Sequence, residues 1–461
     1  MSNNDFSSLP LHPDLISNLV SLGYKEMTPI QQQSLPLSLA HKDVIAQAKT
    51  GSGKTAAFGL SVLQHLDVKK FRVQTLILCP TRELADQVAK EIRKLARGIH
   101  NIKILTLCGG MPFGPQIGSL EHGAHIVVGT PGRIEEHLRK NKLNLDNLNS
   151  LVFDEADRML DMGFKASIDA ILEYVPAKHQ TLLFSATFPA EISAIAKRIM
   201  NEPVTVKVES THDNTTIEQI VYKLGNGTSR ISALLTLLLQ HRPDSAVVFC
   251  NTKIETQEVA SQLNNIGLSA VALNGDLEQR QREQILVRFS NKSASILVAT
   301  DVAARGLDID DLGTVINYQI ARELEVHTHR IGRTGRAGSQ GTAYTLITEK
   351  ESYKLKLLEE YMGQTLVTKS LPASAAANVP GYKPSMATLQ IDGGKKQKIR
   401  AGDILGALTG KDGIDGKHVG KINIFDNCAY VAISRQMAAD ALDKIEQGKL
   451  KGRSFRVRLI R

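Results

Sequence analysis

The chain has 461 residues, of which 42% are hydrophobic and 22% charged, a composition typical of a globular protein with about three domains. The most apolar stretch, residues 231–239, is too short to span a bilayer, which argues against an integral membrane protein. The N-terminus shows no export signal, so we expect a cytoplasmic protein. The four cysteines are Cys79, Cys108, Cys250 and Cys428, and none of them form a C-x-x-C pair. We therefore expect core thiols in a reducing compartment rather than a structural metal site.

The net charge of +9 is unevenly distributed. Residues 385–461 contain 15 Lys and Arg against 8 Asp and Glu, whereas the rest of the chain contains 41 against 39. A small basic tail on a nearly neutral body suggests an anionic partner for the tail.

Short β-branched runs alternate with helical patterns in two successive series. The first predicts strands at residues 44–46, 75–79, 125–128, 151–153 and 181–184; the second predicts them at 246–250, 270–273, 296–299, 314–318 and 343–347. This rhythm predicts two similar α/β domains in tandem, over residues 1–207 and 216–365, each with a parallel sheet and right-handed crossovers. The polar segment 201–216 is the expected hinge between them.

A glycine-rich loop follows the first predicted strand. Its backbone N–H groups and the following helix start favour a polyphosphate, while Lys54 reaches the terminal phosphates and the Thr55 hydroxyl holds Mg²⁺. The generic motif begins with Gly, and this chain has Ala at that position. The expected nucleotide-binding residues of the loop are Ala48, Thr50, Gly51, Ser52, Gly53, Lys54 and Thr55.

An acidic run, Asp154-Glu155-Ala156-Asp157, ends the strand at 151–153. A carboxylate at this point of a phosphate-loop domain can hold Mg²⁺, and its neighbour can orient the attacking water. We assign the first role to Asp154 and the second to Glu155.

The tail is separated from the second domain by a Pro-, Ala- and Ser-rich stretch, so residues 366–384 are predicted to be a flexible linker. The pattern of residues 385–461 predicts the order strand, helix, strand, strand, helix, strand. That βαββαβ order fits a four-stranded RNA-recognition-like module. The predicted fold is therefore two parallel-sheet α/β domains followed by a small α+β domain.

These motifs resemble those of the DEAD-box RNA helicases, in the order of that family, over roughly residues 6–340. The resemblance implies two RecA-like domains and a phosphate loop that begins with Ala. Residues 23–31 are similar to the adenine-reading motif, which implies that Gln31 hydrogen-bonds the adenine edge and that Phe6 stacks on the ring. Such contacts would select ATP over GTP.

The resemblance also implies a sequence-independent grip on RNA backbone, because the matching motifs combine small residues and free backbone N–H groups with one arginine each. It implies that Asp308 contacts the ribose hydroxyl at the nucleotide site. It also implies that the Ser185-Ala186-Thr187 motif couples hydrolysis to strand separation. The implied RNA contacts of the two domains are Arg82, Gly110, Thr130, Arg133, Gln279, Arg282 and Thr300.

Residues 329–336 match the motif that provides the arginine fingers, Arg333 and Arg336. Such fingers stabilise charge on the transferred phosphoryl group. Since the first domain carries Lys54, Asp154 and Glu155, hydrolysis is expected to require closure of the two domains on bound RNA, with local strand separation and release after hydrolysis.

The whole chain is similar to the DbpA subgroup of bacterial DEAD-box helicases. That resemblance implies binding to a hairpin of large-subunit (23S) rRNA in pre-ribosomal particles. Of the usual stacking pair on the sheet only Tyr430 is present, so the tail could bind RNA through its sheet face or through a basic edge that includes Arg453 and Arg456.

The leading hypothesis is an ATP- and Mg²⁺-dependent RNA helicase that unwinds short duplexes during ribosome assembly. The alternatives are an ATP-gated RNA clamp or assembly scaffold with little turnover, and a DNA helicase. The presence of Lys54, Glu155, Arg333 and Arg336 together favours an active enzyme over a clamp. The oligomeric state is left open by the sequence.

Overall fold

The computed structural model describes residues 4–48, 51–208, 217–225, 227–304, 312–335, 341–372, 381–410 and 413–460. The chain divides into two compact units, one containing the described residues up to Val208 and the other those from Ile217 onward. The second unit contains both a second α/β domain and the basic tail.

The first unit is built on a parallel sheet of seven strands in the order β3-β4-β2-β5-β6-β1-β7. Its central strands are buried along their whole length, as expected for a parallel sheet that is covered by helices on both faces. The strands are β1 (Val44–Gln47), β2 (Thr75–Leu78), β3 (Ile104–Leu107), β4 (Ile126–Gly129), β5 (Ser150–Asp154), β6 (Gln180–Ser185) and β7 (Val204–Lys207).

The helices of this unit start where the sequence provides N-terminal signals. Thr81 accepts a hydrogen bond from Leu84 N at the start of α4, and Pro29 and Pro131 occupy the first positions of α2 and α6. The helices are α1 (Pro13–Ser21), α2 (Pro29–Leu39), α3 (Lys54–Gln64), α4 (Arg82–Leu95), α5 (Phe113–Glu121), α6 (Pro131–Arg139), α7 (Ala156–Asp161), α8 (Lys165–Leu172) and α9 (Ala190–Ile199).

The second α/β domain repeats this plan with a seven-stranded parallel sheet in the order β10-β11-β9-β12-β13-β8-β14. Its strands are β8 (Ile217–Leu224), β9 (Ala246–Cys250), β10 (Ala270–Leu273), β11 (Ile296–Thr300), β12 (Thr314–Asn317), β13 (Gly341–Thr348) and β14 (Val367–Ser370). Its helices are α10 (Arg230–His241), α11 (Lys253–Asn265), α12 (Gln279–Ser290), α13 (Asp301–Ala304), α14 (Leu324–Ile331) and α15 (Ser352–Met362). The prediction of two tandem parallel-sheet domains is confirmed.

Two segments that we predicted to be irregular contain strands. β7 lies inside the expected hinge 201–216 and pairs with β1, while residues 209–216 lie outside the described residues. β14 lies inside the expected linker 366–384 and pairs with β8. The linker prediction is wrong for β14, whose backbone is held by the sheet, and residues 373–380 lie outside the described part of the chain.

The tail has the predicted βαββαβ order in an antiparallel sheet arranged β16-β17-β15-β18. Its elements are β15 (Met386–Ile391), α16 (Ala401–Thr409), β16 (Val419–Ile424), β17 (Ala429–Ser434), α17 (Ala438–Gln447) and β18 (Val457–Ile460). Side chains alternate along β15, so Leu389 and Ile391 join the core beneath the helices while Thr388 and Gln390 lie on the opposite face.

That opposite face of the tail sheet is covered by the second α/β domain. Thr388 Oγ1 lies 2.7 Å from Ser293 Oγ and accepts a hydrogen bond from Asn291 Nδ2 at 3.2 Å. At the rim, Lys421 Nζ donates to Ser290 Oγ at 2.6 Å. Thr388 and its face neighbours Gln390, Tyr430 and Ala432 are all buried, so the part of this face formed by β15 and β17 is an internal contact of the second unit.

Within the described residues no helix combines the length and apolarity needed to cross a membrane. The side chains of Cys79, Cys108 and Cys250 are buried and that of Cys428 is half-buried. Burial raises the pKa of the Cys108 thiol to about 12, which is the behaviour of an unreactive core thiol.

Candidate functional site

The loop between β1 and α3 has the backbone shape of a phosphate-binding turn. Gly51 and Gly53 adopt φ values of 83° and 92°, in the left-handed region that favours glycine. Lys54 is the first residue of α3 and Thr55 the second. The backbone N–H groups at the start of α3 therefore directly follow the loop. Thr50, assigned to the same loop, lies outside the described residues.

Gln31 supports this loop from the start of α2. Its Oε1 accepts from Thr28 N at 2.9 Å, and its Nε2 donates to Gly53 O at 3.0 Å. A Cβ on Gly53 would lie 2.5 Å from Gln31 Nε2, a contact too short for any side chain. The structure therefore shows Gln31 fixing the loop, and its contact with adenine stays a prediction.

Phe6, the predicted stacking residue, lies in a short 3-10 helix, Phe6–Ser8. Its ring is 3% exposed and packs edge-to-face on Tyr24 with ring centroids 6.0 Å apart. The structure thus brings Phe6 to the segment that contains the adenine-reading motif, but as part of the core, and stacking on a base stays a prediction.

Two buried groups of opposite charge mark the centre of the site. Lys54 Nζ and Asp154 Oδ1 have no hydrogen-bond partner among the described residues, although both side chains are buried. Burial raises the pKa of Asp154 to about 7, against the attraction of Lys54, which lowers it. Unpaired buried polar atoms are unfavourable, so their presence together indicates a place for a charged ligand.

Glu155 follows Asp154 in an unusual backbone conformation. It caps α7 with φ 56° and ψ 53°, in the left-handed region that non-glycine residues rarely adopt. Its Oε2 lies 2.7 Å from Arg158 Nη1, and both side chains are buried. This ion pair was not predicted from the sequence.

The third acid of the run connects the acidic cluster with the segment after β6. Asp157 Oδ2 accepts from Thr187 N at 2.8 Å and from Thr187 Oγ1 at 2.9 Å, while Ser185 Oγ accepts from Asp157 N at 3.2 Å. These bonds hold the pKa of Asp157 below its usual value despite burial. The structure therefore joins the Ser185-Ala186-Thr187 motif to the acidic run through a residue to which we had given no role.

The predicted RNA contacts of the first unit follow β2, β3 and β4, which are neighbours in the sheet. Gly109 N donates to Thr130 Oγ1 at 3.3 Å, and Arg133 Nη1 donates to Met111 O at 2.9 Å. Gly110 has a φ of 73°, and Arg82 is the first residue of α4. The structure thus brings these loops together at the carboxyl edge of the sheet.

The second α/β domain joins its own predicted RNA contacts in the same way. Arg282 Nη2 donates to Ala303 O at 2.7 Å, which ties α12 to α13, directly after Thr300 at the end of β11. Gln279 is the first residue of α12. Asp308, assigned to the ribose, lies outside the described residues.

Arg330 is a buried centre of hydrogen bonds that sequence reasoning left without a role. Its guanidinium donates to both oxygens of Asp301 at 2.6 and 2.7 Å, to Asn251 Oδ1 at 2.8 Å and to Gln319 O at 2.8 Å. It thereby fixes the end of α14 against neighbouring strands. Arg333, three residues further on, is 6% exposed, whereas Arg336 lies outside the described residues.

Most of the tail's positive charge lies outside the buried part of its sheet face, and Arg458, which pairs with Gln390, lies at the exposed β18 edge of that face. Tyr430 is 2% exposed, so in this arrangement its ring is not available for stacking on a base, contrary to one of our two predictions. Arg453 and Arg456 are exposed. They belong to a basic band whose two segments are joined by a hydrogen bond from Lys451 Nζ to Lys398 O, and whose exposed members are Lys395, Lys396, Lys398, Arg400, Lys451, Arg453, Arg456 and Arg458.

This combination of two RecA-like sheets, a phosphate loop with adjacent acids and a basic accessory domain defines an ATP-driven nucleic-acid helicase. Three protein families match the chain in succession. Residues 28–195 match the DEAD/DEAH box helicase family, residues 229–338 the helicase conserved C-terminal domain, and residues 388–459 the DbpA RNA-binding domain.

Similar proteins extend over the full chain. The ATP-dependent RNA helicase DbpA of Escherichia coli (strain K12) is 52% identical over 457 residues, with 99% of each chain covered. DbpA of Bacillus subtilis (strain 168) is 35% identical, with 98% of each chain covered. The chain therefore belongs to the DEAD-box family of ATP-dependent RNA helicases, ATP-hydrolysing enzymes, and carries a DbpA-type RNA-binding domain.

Solved structures agree with this assignment for the helicase part. Saccharomyces cerevisiae Dbp5 bound to RNA and ADP BeF3 is 28% identical with a TM-score of 0.72, covering 80% of this chain and 96% of that one. Mss116p bound to single-stranded RNA and AMP-PNP is 28% identical with a TM-score of 0.69, covering 79% of this chain and 78% of that one.

Proposed function

We propose that this helicase couples RNA-stimulated ATP hydrolysis to local unwinding of large-subunit (23S) rRNA in pre-ribosomal particles, in the cytoplasm. The observation that supports it best is the pair of partnerless buried atoms, Lys54 Nζ and Asp154 Oδ1, beside a phosphate loop in a chain that also carries an exposed basic band. The first feature supports the nucleotide chemistry, and the second supports the choice of RNA.

The residues present fit ATP with Mg²⁺. Lys54 offers a buried ammonium group for the terminal phosphates, and Gly51 and Gly53 allow the backbone to approach them closely. Thr55 and Asp154 are the oxygen donors that would hold Mg²⁺, since this ion prefers a hydroxyl and a carboxylate together with phosphate oxygens. When bound, the ion would neutralise phosphate charge.

Within this arrangement each side chain has a separate role. Glu155 orients the attacking water and accepts its proton, Lys54 holds the terminal phosphate, and Arg333 with Arg336 stabilises the charge that develops on it. Because these arginines belong to a different unit of the chain, we propose that RNA bound to both units brings them to the nucleotide.

Two separate sets of contacts in the first unit lie around the proposed hydrolysis and RNA-binding residues. Asp157 joins the acidic cluster to Thr187, and Thr130 joins the loops that carry Gly109 and Arg133. We propose that these loops hold the sugar-phosphate backbone without reading bases, so sequence preference has to come from the tail.

The basic band is the proposed recognition surface for rRNA. Its arginines and lysines are exposed, while the part of the sheet face formed by β15 and β17, where other RNA-recognition modules stack bases, is buried. The similarity to proteins named DbpA over the whole chain supports the same type of target.

The test is ATP hydrolysis by the full chain with 23S rRNA fragments and with unrelated structured RNA of equal length. We expect strong stimulation by the rRNA fragment at lower concentration. The double variant R453A/R456A should reduce that preference about 10-fold or more by removing phosphate contacts, with a steeper effect at low salt.

The matched control is K178A/K356A, which removes two exposed lysines from the α/β domains and should leave the preference unchanged. Absence of any RNA stimulation would contradict the enzyme function, and ATP-dependent RNA retention without turnover would favour the clamp. Equal stimulation by both RNAs would contradict the rRNA target alone.

A further inference from the structure

We propose that Arg158 is a positioning residue for ATP hydrolysis. From the first turn of α7 it holds the carboxylate of Glu155, the N-cap residue of that helix, in place. The inference rests on the proposed role of Glu155 as the residue that orients water. It starts from an ion pair that lies inside the acidic cluster and involves no residue of the phosphate loop.

The backbone at Glu155 makes such support necessary. Its left-handed conformation, with φ 56° and ψ 53°, turns the chain sharply from β5 into α7. A non-glycine residue pays about 1–2 kcal/mol for this conformation. The turn fixes where the Cβ of Glu155 lies, but the side chain beyond it has three further rotatable bonds, so the carboxylate needs a partner to define its position.

Arg158 provides that partner at a distance of 2.7 Å between Nη1 and Glu155 Oε2. The side chains are 9% and 4% exposed, so this pair differs from ordinary surface pairs at i and i+3, which contribute little. Because the pair is buried, replacing Arg158 with a neutral residue removes a charge-assisted contact from Glu155 that water does not readily replace.

The helix from which Arg158 extends is itself fixed. Asp157 is bonded to Thr187, and Met159 is completely buried in the core. The guanidinium of Arg158 is therefore attached to a rigid first turn of α7, and the carboxylate that it holds takes up a defined position relative to β5.

The proposal predicts a selective loss of turnover. Arg158→Met keeps an unbranched side chain but removes the charge and the donors. Because displacement of a catalytic group by about 1 Å can reduce the rate on the order of 100-fold, we expect the RNA-stimulated kcat to fall about 10- to 100-fold. The KM for ATP and the affinity for RNA should change less than about 3-fold, since Lys54 and the RNA loops are untouched.

The deciding experiment is a double-mutant cycle in single-turnover phosphate release with the full chain. Glu155→Gln should abolish most hydrolysis while leaving binding of a fluorescent ADP analogue intact. If Arg158 acts through Glu155, R158M should reduce the rate in the wild-type background and have no further effect in the E155Q background. Arg158→Lys, which keeps the charge, should recover part of kcat.

Other outcomes are equally informative. Equal fractional losses from R158M in both backgrounds, or an unchanged kcat in R158M, would overturn the positioning role. A wild-type rate in E155Q would refute the role of Glu155 and the inference about Arg158 with it. Arg198→Met removes a partly exposed ion pair with Asp169 in the same unit and should leave kcat unchanged. If R158M does not fold, R158K in both backgrounds gives the same test.

Discussion

Gly53 illustrates how one residue can connect two parts of the nucleotide site. It needs a positive φ to turn the loop into α3, and it needs the absence of a Cβ to let Gln31 approach. Its carbonyl then accepts the hydrogen bond from Gln31 Nε2. The start of α2, predicted to read adenine, and the glycine-rich loop are therefore fixed to each other by a direct hydrogen bond.

The variant Gly53→Ala should weaken this connection. Left-handed strain of about 1–2 kcal/mol, together with a Cβ contact of 2.5 Å to Gln31 Nε2, should displace the loop and reduce ATP affinity about 10-fold or more. The measurement is titration with a fluorescent ATP analogue. Gly267→Ala is the matched control, because Gly267 has a φ of 84° but no atom within 4 Å of an added Cβ, and it belongs to no predicted site. Similar ATP affinity in both variants would show that the contact with Gln31 has no role.

Arg158 and Arg330 show where reasoning from sequence ends at the residue scale. The phosphate loop and the acids were found because each is a short motif with a chemistry of its own. Arg330 depends on Asp301 and Asn251, which are distant in the sequence, and only the order of the strands brings these residues together. Arg158 directly follows the acidic run, whose carboxylates had already been assigned to Mg²⁺ and to water. Its buried ion pair with Glu155 was therefore not predicted.

At the scale of elements, the strands that sequence patterns missed are mostly edge strands. β3 and β7 are the outer strands of the first sheet and β14 is an outer strand of the second. β14 has four exposed residues and β7 has three, so neither shows the continuous apolar run that identified the central strands. Pairing with a neighbour, rather than burial, determines these elements.

The contact between α5 and α6 provides a prediction about acid stability. His137 is buried, stacks on Phe113 with ring centroids 4.3 Å apart, and bonds Gln116 Oε1 through Nε2. Its Nδ1 has no partner among the described residues, so a second proton would be unsatisfied. Burial accordingly lowers the pKa of His137 from 6.5 to about 4, with a contribution from Arg133.

The sign of the pH effect follows from linkage. Between pH 6.5 and about pH 4 the unfolded chain binds a proton that folded His137 does not, so the folded state loses stability as the pH falls through this range. Urea unfolding of the full chain should show this slope for the transition of the first unit, and His137→Gln should flatten it. An identical slope in the variant would place the acid sensitivity in other residues.

At the scale of the whole molecule, the second unit contains both the second α/β domain and the basic tail. One face of the tail sheet packs against the α/β domain. The contact includes Thr388, Ser293 and Asn291, which are all buried. A flexible attachment of the tail, expected from the composition of the linker, does not describe this contact. The composition of the linker predicts only the behaviour of the connecting chain. It does not predict that the tail sheet packs against the α/β domain.

Thr388→Glu tests the contact directly. A carboxylate at this buried position would take the place of the hydroxyl that bonds Ser293 and Asn291, so we expect the tail to detach while keeping its own fold. Hydrogen exchange should accelerate around Asn291 and Ser293, while β15 stays protected by its pairing with β17 and β18. Lys421→Ala, which removes the exposed bond to Ser290, should have a small effect. Unchanged exchange around Ser293 in the Glu variant would show that the contact is weak.

The covered sheet face also limits how such a chain can be rebuilt by domain exchange. A recognition domain grafted in place of this tail would leave Asn291 and Ser293 facing unmatched side chains unless it supplied a hydroxyl at the position of Thr388 and small neighbours beside it. Specificity for a new RNA would therefore be easier to obtain by redesigning the basic band on the existing scaffold than by transplanting a foreign module.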